Sequence, residues 1–282
     1  MNSYGIIQGR LTPSNGRGIQ FFPFDNWREE FHLAAQIGLQ EIEWIFDYER
    51  YTENPIWSEA GKSELKNLIS ETGIKVNSVC FDYFMRRPYY KYRGGERERL
   101  YKENCDMARR VIDALAEIGG GLLEVPMVDD SSLASSEEHE LAINFIEEIA
   151  VYAERYHVQI GLETDLQPGK FSEFLEKITG HFIYANFDSG NSSGIGYDPN
   201  EEIPALGKRI RNVHIKDRVY HGTTVALGTG SADFDAVFNN LKEIGYRNSM
   251  ILQAARGKDG QETETIGQQL EFVKAYVEKY GL

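Results

Sequence analysis

The amino-acid sequence predicts an α/β protein, a single closed (β/α)8 barrel over residues 1–282. Two observations predict it: eight short apolar runs alternate with amphipathic stretches, and no linker or low-complexity segment interrupts them. Parallel strands that are covered on both faces read as continuous apolar runs, and eight strand and helix units of this length close into a barrel. We therefore predict one domain with eight inner strands and an outer layer of helices.

The apolar runs are the predicted barrel strands, in the order YGIIQG, EIEWIF, KVNSVC, GLLEVP, VQIGLE, FIYANFD, NVHIK and SMILQA. Apolar residues at helical spacing predict helices between them, including residues 27–38, 64–73, 99–120, 140–156 and 233–245, and several of these stretches close at glycine. An open doubly wound sheet is the alternative. The first strand, however, continues into QGRLTP and not into a glycine-rich phosphate loop, which disfavours that fold.

The charge balance argues against nucleic acid and membranes as partners. The chain has 30 Lys and Arg against 44 Asp and Glu, a formal net charge of −14. Such a charge repels nucleic-acid phosphates and anionic membrane surfaces, which proteins contact through clustered Lys and Arg. No apolar run approaches the roughly 18 residues of a membrane span, and no export signal is recognisable. We expect a small-molecule partner and, by default, a cytoplasmic location.

Polar side chains stand at six of the predicted strand ends, where apolar core positions are otherwise expected. In chain order they are Glu43, Glu124, Glu163, Asp188, His214 and Gln253. Functional residues of a (β/α)8 barrel lie at the carboxyl ends of its strands, so these six are expected at one mouth. Taken singly, Glu43 or Glu124 is as well explained as a buried polar group, and His214 as a core histidine.

Together the polar strand ends favour a metal site. Carboxylates that converge repel one another and raise each other's pKa unless a cation neutralises them. The last four of the six offer two carboxylates, an imidazole and an amide oxygen, a set suited to one divalent ion such as Mn²⁺, Mg²⁺, Co²⁺ or Zn²⁺. Period-two alternation places Glu163, Asp188 and His214 on the inner face of their strands. Asp217, in the loop after His214, is a candidate to orient that imidazole.

Four runs in the second half of the chain carry a resemblance to a known family. They are GLETD, NFDSGN, NVHIKDR and LGTGSADFDAVFNNLKEIGY. Their order and spacing resemble the xylose isomerase-like TIM barrels, in particular the sugar and sugar-phosphate isomerase and epimerase group, and the resemblance extends over essentially the whole chain. It implies a sugar or sugar-phosphate substrate and proton transfer next to a carbonyl, through an enediolate that a metal ion stabilises.

The family pattern has two departures in this chain. Members hold one divalent metal through a Glu, an Asp, a His and a second Glu, and the first three positions fall on Glu163, Asp188 and His214. The fourth falls on Gln253, and Asn191 stands where many members have a histidine near the substrate. Epimerases of this group move protons with two carboxylates, one on each face of the substrate carbon. An amide can coordinate through its oxygen but cannot transfer a proton near neutral pH.

Three interpretations of Gln253 stay open. In the first, Glu163 alone carries the proton, as in an aldose-ketose isomerisation. In the second, Glu43, Glu124 or Lys216 replaces the missing base. In the third, the chain binds a sugar without converting it.

Further side chains are expected to contact the substrate around the metal. They are Glu43, Glu124, Asn191, Lys216 and Arg256. The arginine follows Gln253 by three residues, where it could meet a substrate phosphate or carboxylate, although an ordinary loop arginine is an equal alternative. The resemblance thus implies a metal-dependent isomerase or epimerase with Glu163 and Gln253 at its catalytic positions. The sequence leaves open the sugar, its phosphorylation, the native metal and the oligomeric state, including a homo-oligomer.

Overall fold

Eight parallel strands close into a barrel in the computed structural model, which describes residues 2–282. Strands β1 to β7 are Ser3–Ile7, Glu41–Ile45, Ser78–Cys80, Leu122–Met127, Gln159–Thr164, Ile183–Asp188 and Ile210–Ile215. A short antiparallel hairpin follows, β8 (Asp217–Arg218) and β9 (Thr224–Val225), and the eighth barrel strand is β10 (Ser249–Leu252). The ring runs from β1 through β7 in chain order and closes through β10 back onto β1. The predicted fold class is confirmed.

Ten α-helices surround the barrel in the part of the chain that the structure describes. Helices α1 to α10 are Trp27–Ile37, Glu59–Thr72, Asp82–Arg86, Gly94–Glu117, Ser136–Glu154, Pro168–Lys177, Ser189–Ile195, Pro199–Leu206, Phe234–Glu243 and Glu262–Tyr280. The helices α2, α4 and α5 begin four or five residues before the predicted starts. Two of these earlier starts are fixed by serine side chains, since Ser58 and Ser135 each accept a hydrogen bond from the first turn of the following helix.

No helix among residues 2–282 combines the length and the apolar character that crossing a bilayer needs.

The two faces of the barrel strands differ in chemistry. Outward-facing side chains such as Trp44, Phe187 and Val213 are fully buried against the helices. Trp44 packs against the rings of Phe22 and Trp27, with centroids 5.1 and 5.6 Å away. The strand interior holds buried carboxylates, amides and an imidazole in the upper layers, and such groups are costly to bury unless they are paired. These buried polar groups form the candidate site described below.

Strand register brings the polar residues of neighbouring strands to the same height. Asp188 at the end of β6 lies beside His214 on β7. On β5, Glu163 is the last residue but one and pairs with Pro126 of β4. These positions are near the carboxyl ends of their strands, where (β/α)8 barrels carry their functional residues.

Candidate active site and metal centre

Three of the four residues predicted as metal ligands come together at the barrel mouth. Glu163 Oε2 lies 3.2 Å from His214 Nδ1, and Asp188 Oδ2 lies 3.9 Å from the same nitrogen. One ligand atom from each of the three lies within 4.8 Å of the other two. All three side chains are buried. Two carboxylates and an imidazole at this spacing can hold one divalent ion.

The ring of His214 is oriented from below by a carboxylate that the sequence had assigned to the substrate. Glu43 Oε1 lies 2.7 Å from His214 Nε2, and its second oxygen accepts hydrogen bonds from Ser78 Oγ (2.7 Å) and Asn212 Nδ2 (2.9 Å). A ring N–H on Nε2 satisfies this contact, and Nδ1 then faces Glu163 and Asp188, with Asn186 Nδ2 also 3.1 Å away. A histidine that ligates a metal commonly donates its other ring N–H to a carboxylate in this way.

The carboxylates around His214 also change its protonation. Burial lowers the pKa of His214, but Glu43 and Glu163 outweigh burial and raise that pKa well above its usual value. A divalent ion at Nδ1 would take the place of the proton there, because ligation and protonation use the same lone pair.

Two asparagine side chains fix the carboxylate of Glu163. Asn186 Nδ2 donates to Oε2 at 2.7 Å, and Asn191 Nδ2 donates to Oε1 at 2.6 Å. Asn186 lies two residues before Asp188 on the inner face of β6, and Asn191 lies in the first turn of α7. The carboxylate is therefore held between β6 and α7 in one orientation.

Asp188 has two functions because it is both the last residue of β6 and the N-cap of α7. Its Oδ1 accepts hydrogen bonds from the backbone N–H groups of Gly190 and Asn191, both at 2.8 Å. Its Oδ2 points to the site and lies 3.4 Å from Lys216 Nζ. Gly190 allows this approach, since a Cβ there would lie 2.4 Å from Cγ of Lys216. The sequence DSGN thus combines a helix cap with a side-chain oxygen free for a ligand.

Gln253, the fourth predicted ligand, reaches the cluster through Lys216. The ammonium group of Lys216 donates to Gln253 Oε1 at 2.9 Å and to Asn191 Oδ1 at 3.0 Å. The amide nitrogen of Gln253 donates to Gln20 Oε1 at 3.1 Å. Gln253 therefore faces the site with a neutral oxygen that accepts a hydrogen bond from a cation.

A cavity of about 380 Å³ reaches the cluster at Glu163. Its lining residues are Gly18, Ile19, Gln20, Cys80, Asp82, Met85, Arg86, Pro126, Val128, Asp129, Asp130, Glu163, Asn191, Lys216 and Gln253. Four of these were predicted as site residues. Gln20 and Asp82 were not, although the position of Asp82 two residues past KVNSVC was an available signal. Gln20 lies in the irregular segment between β1 and α1, where no periodicity indicates which side chains face inward.

Glu43 and Glu124, predicted as substrate contacts, lie beneath the cavity and do not line it. Both are fully buried in the middle of their strands, so their side chains fill the layer below the mouth. Burial and the charge of Glu163 raise the pKa of Glu124 well above its usual value. Direct substrate contact by these two residues stays a prediction, because Asp188 and His214 of the metal cluster are also absent from the cavity lining.

Two residues beyond the ends of β7 and β10 make contacts other than the predicted ones. Asp217 does not orient His214: its carboxylate accepts hydrogen bonds from the N–H groups of Gly228, Gly230 and Ala232 at 2.8 to 3.0 Å and so closes the loop after β7. Arg256 lies outside the cavity lining. It stacks on the ring of Phe21 and donates to a backbone carbonyl, so its position matches the alternative of an ordinary loop arginine.

A closed parallel barrel with carboxylates and an imidazole at its carboxyl-terminal mouth defines a (β/α)8 protein of the enzyme type. The chain belongs to the xylose isomerase-like TIM barrel family, whose model matches residues 31–276. It is 25% identical over 271 residues to the L-ribulose-5-phosphate 3-epimerase UlaE of Escherichia coli, covering 91% of this chain and 92% of that protein.

Solved structures share the fold along nearly the whole chain. The D-allulose 3-epimerase from Methylomonas sp. superposes with a TM-score of 0.76 at 18% identity, covering 98% of both chains. The IOLI protein, solved with a bound zinc atom, superposes with a TM-score of 0.77 at 18% identity, covering 99% of both. The full-length similarity to a named sugar epimerase, within this family, identifies the chain as an enzyme.

Proposed function

We propose that the chain is a divalent-metal-dependent sugar epimerase that transfers a proton at the carbon next to a ketose carbonyl. The observation that carries the proposal is the convergence of Glu163, Asp188 and His214 within 4.8 Å, with Glu163 also lining a cavity. The full-length similarity to a ribulose-phosphate 3-epimerase and the fold shared with an allulose 3-epimerase support the same activity.

The three side chains fit a resident divalent ion. Glu163 and Asp188 supply hard carboxylate oxygens, and His214 supplies Nδ1 because Glu43 holds its other nitrogen. Gln253 offers only a neutral oxygen, so this donor set has one negative charge fewer than a set with glutamate at that position. The ion, when bound, would act as a Lewis acid that stabilises negative charge on substrate oxygens.

Glu163 is the proposed base. It lines the cavity, and the two asparagine donors hold its carboxylate in place. Glu163 takes the proton from the substrate carbon, the carbon–hydrogen bond breaks, and its electron pair moves toward the carbonyl oxygen to give an enediolate. The ammonium group of Lys216, which lines the same cavity, adds positive charge near the developing oxyanion.

The experiment that tests the proposal is hydrogen exchange with solvent. The purified chain with Mn²⁺ in D₂O is incubated with L-ribulose 5-phosphate, D-allulose and other ketoses with and without a phosphate, and NMR follows the proton on carbon 3. We expect deuterium at that carbon and formation of the 3-epimer from at least one ketose. Asp188→Asn, which removes a ligand charge, is expected to abolish both, and Asp198→Asn, at the N-cap of α8, is the matched control. A folded, Mn²⁺-loaded chain that exchanges no proton across the panel would contradict the proposal.

Gln253 favours a second candidate, a barrel that binds a sugar without converting it. An amide at this position has no proton to transfer near neutral pH. This candidate predicts that a sugar raises the melting temperature of the Mn²⁺-loaded chain while no product or deuterium appears. Turnover that Gln253→Glu gains from a silent parent would support it, whereas turnover by the unaltered chain would exclude it.

A further inference from the structure

A buried carboxyl outside the metal cluster lines the same cavity as Glu163. Asp82 is the first residue of α3, directly beyond β3, and its side chain is only 3% exposed. In the ring of eight strands, β3 stands four positions from β7, which carries His214. Asp82 thus lies across the ring from His214 and lines the same cavity as Glu163, so a sugar bound there would meet both carboxyl groups.

A line of hydrogen bonds joins Asp82 to the position where the family has its second glutamate. Gln20 Nε2 donates to Asp82 Oδ2 at 2.7 Å, and the Oε1 of Gln20 accepts from Gln253 Nε2 at 3.1 Å. The other oxygen of Asp82 accepts from Cys80 Sγ at 3.1 Å. Asp82 is thus fixed in one orientation, and Gln253 supports it through Gln20.

The chemistry of Asp82 differs from that of the cavity's other groups. It has no ion-pair partner within 4.0 Å among residues 2–282. Burial raises the pKa of Asp82 to about 6, and the hydrogen bond from Gln20 only partly offsets burial. A carboxyl of this kind exchanges its proton near neutral pH, which the amide of Gln253 cannot do.

We propose that Asp82 is the second proton-transfer group of the epimerase, acting on the face of the substrate carbon away from Glu163. The inference rests on the proposed function and says how a chain with Gln253 inverts a carbon. Asp82 is preferred to Glu43 and Glu124 for this role because it lines the cavity, whereas those two glutamates are fully buried and do not line it. Lys216 belongs to the wall that holds Glu163 and Asp188.

The protons balance over the reaction. Glu163 accepts the proton as the carbon–hydrogen bond breaks, and the electron pair passes into the enediolate. The neutral carboxyl of Asp82 then donates its proton to the other face, a new carbon–hydrogen bond forms, and the carbonyl is restored. The enzyme is left with Glu163 protonated and Asp82 ionised, and exchange with water returns both to their starting states.

The test follows deuterium incorporation from both members of an epimer pair. Wild type, Asp82→Asn and the control Asp47→Asn are loaded with Mn²⁺ in D₂O and given L-ribulose 5-phosphate or L-xylulose 5-phosphate, and D-allulose or D-fructose, in separate samples. Asp47 is a neighbouring carboxylate outside the cavity lining. With Asp82→Asn we expect interconversion to fall by about 100-fold or more, the scale of a lost general acid. One epimer, whose proton faces Glu163, still exchanges, while the other neither exchanges nor converts.

The outcomes separate this role from a structural one. Interconversion by Asp82→Asn within about tenfold of wild type, well short of the loss of a general acid, would overturn the assignment. Equal loss of exchange from both epimers, with Mn²⁺ binding unchanged and the melting temperature not lowered, would also overturn it, because a positioning defect has no preferred face. Wild type that binds Mn²⁺ but exchanges neither epimer of any pair would overturn the proposed function itself, and the role of Asp82 with it. If Asp82→Asn does not fold, Asp82→Ser is judged by the same asymmetry.

Discussion

Replacing Glu43 with glutamine tests whether His214 is held as a metal ligand from beneath. The substitution keeps the shape of the side chain but removes the charge that faces His214 Nε2 at 2.7 Å. The oxygen of the introduced amide can still accept from this N–H, and Asn212 can turn its Oδ1, which has no partner, toward the new NH₂ group. The fold is therefore expected to survive. A carboxylate behind a ligating histidine raises its basicity, so we expect Mn²⁺ affinity to fall by about 10- to 100-fold, or about 1.4 to 2.7 kcal/mol.

Isothermal titration of Mn²⁺ into the metal-free chain measures this change, with urea unfolding as the check on stability. Glu41→Gln is the matched control, because Glu41 is a buried glutamate on the same strand whose carboxylate contacts Ser3 and not His214. We expect the control to bind Mn²⁺ as the wild type does. Equal affinity for Glu43→Gln and wild type, or an equal loss in the control, would refute the role given to Glu43.

Two further predictions concern the loop after β7 and the carboxyl of Asp82. Asp217→Ala leaves three loop N–H groups without their acceptor, so urea unfolding is expected to show a loss of about 3 kcal/mol and amide exchange to quicken over residues 217–232. Raising the pKa of Asp82 to about 6 makes the folded state hold a proton that the unfolded state releases near pH 4. The stability this group contributes is present at lower pH and lost as pH rises through 6. The free energy of unfolding of Asp82→Asn minus that of wild type should therefore rise by about 3 kcal/mol from about pH 3 to about pH 7, as measured in paired urea titrations. Parallel pH profiles of the two proteins would contradict this.

The barrel and the cluster were predictable because both depend on periodic patterns. Strands such as VQIGLE and FIYANFD are mostly apolar and carry no charge before their last residue, so a carboxylate at the end marks the mouth. The alternation of inward and outward side chains then assigns Glu163, Asp188 and His214 to one face. These features depend on the local chain and on the ring that it builds.

The remaining features depend on distances in the folded chain, which the periodicity of the sequence does not predict. The alternation of side chains predicts which face of β2 carries Glu43 but not how far from the mouth the side chain lies. Residues two positions apart on a strand share a face but lie at different heights in the barrel. Asp217 was placed near His214 because it is close in sequence, yet its carboxylate meets amides 11 to 15 residues further along. Gln20 and Asp82 meet only after β1 and β3 have taken their places in the ring, so their contact had no local signal.

The central claim is that one divalent ion is held by Glu163, Asp188 and His214. Pulsed electron paramagnetic resonance of the Mn²⁺-loaded chain tests it most directly, because a ligating imidazole couples its nitrogen to the metal. We expect one Mn²⁺ per chain with a single directly bound nitrogen, and loss of that coupling in His214→Gln but not in His139→Gln, whose ring packs on Phe174. Tight Mn²⁺ binding without nitrogen coupling, or a coupling that survives His214→Gln, would contradict the claim.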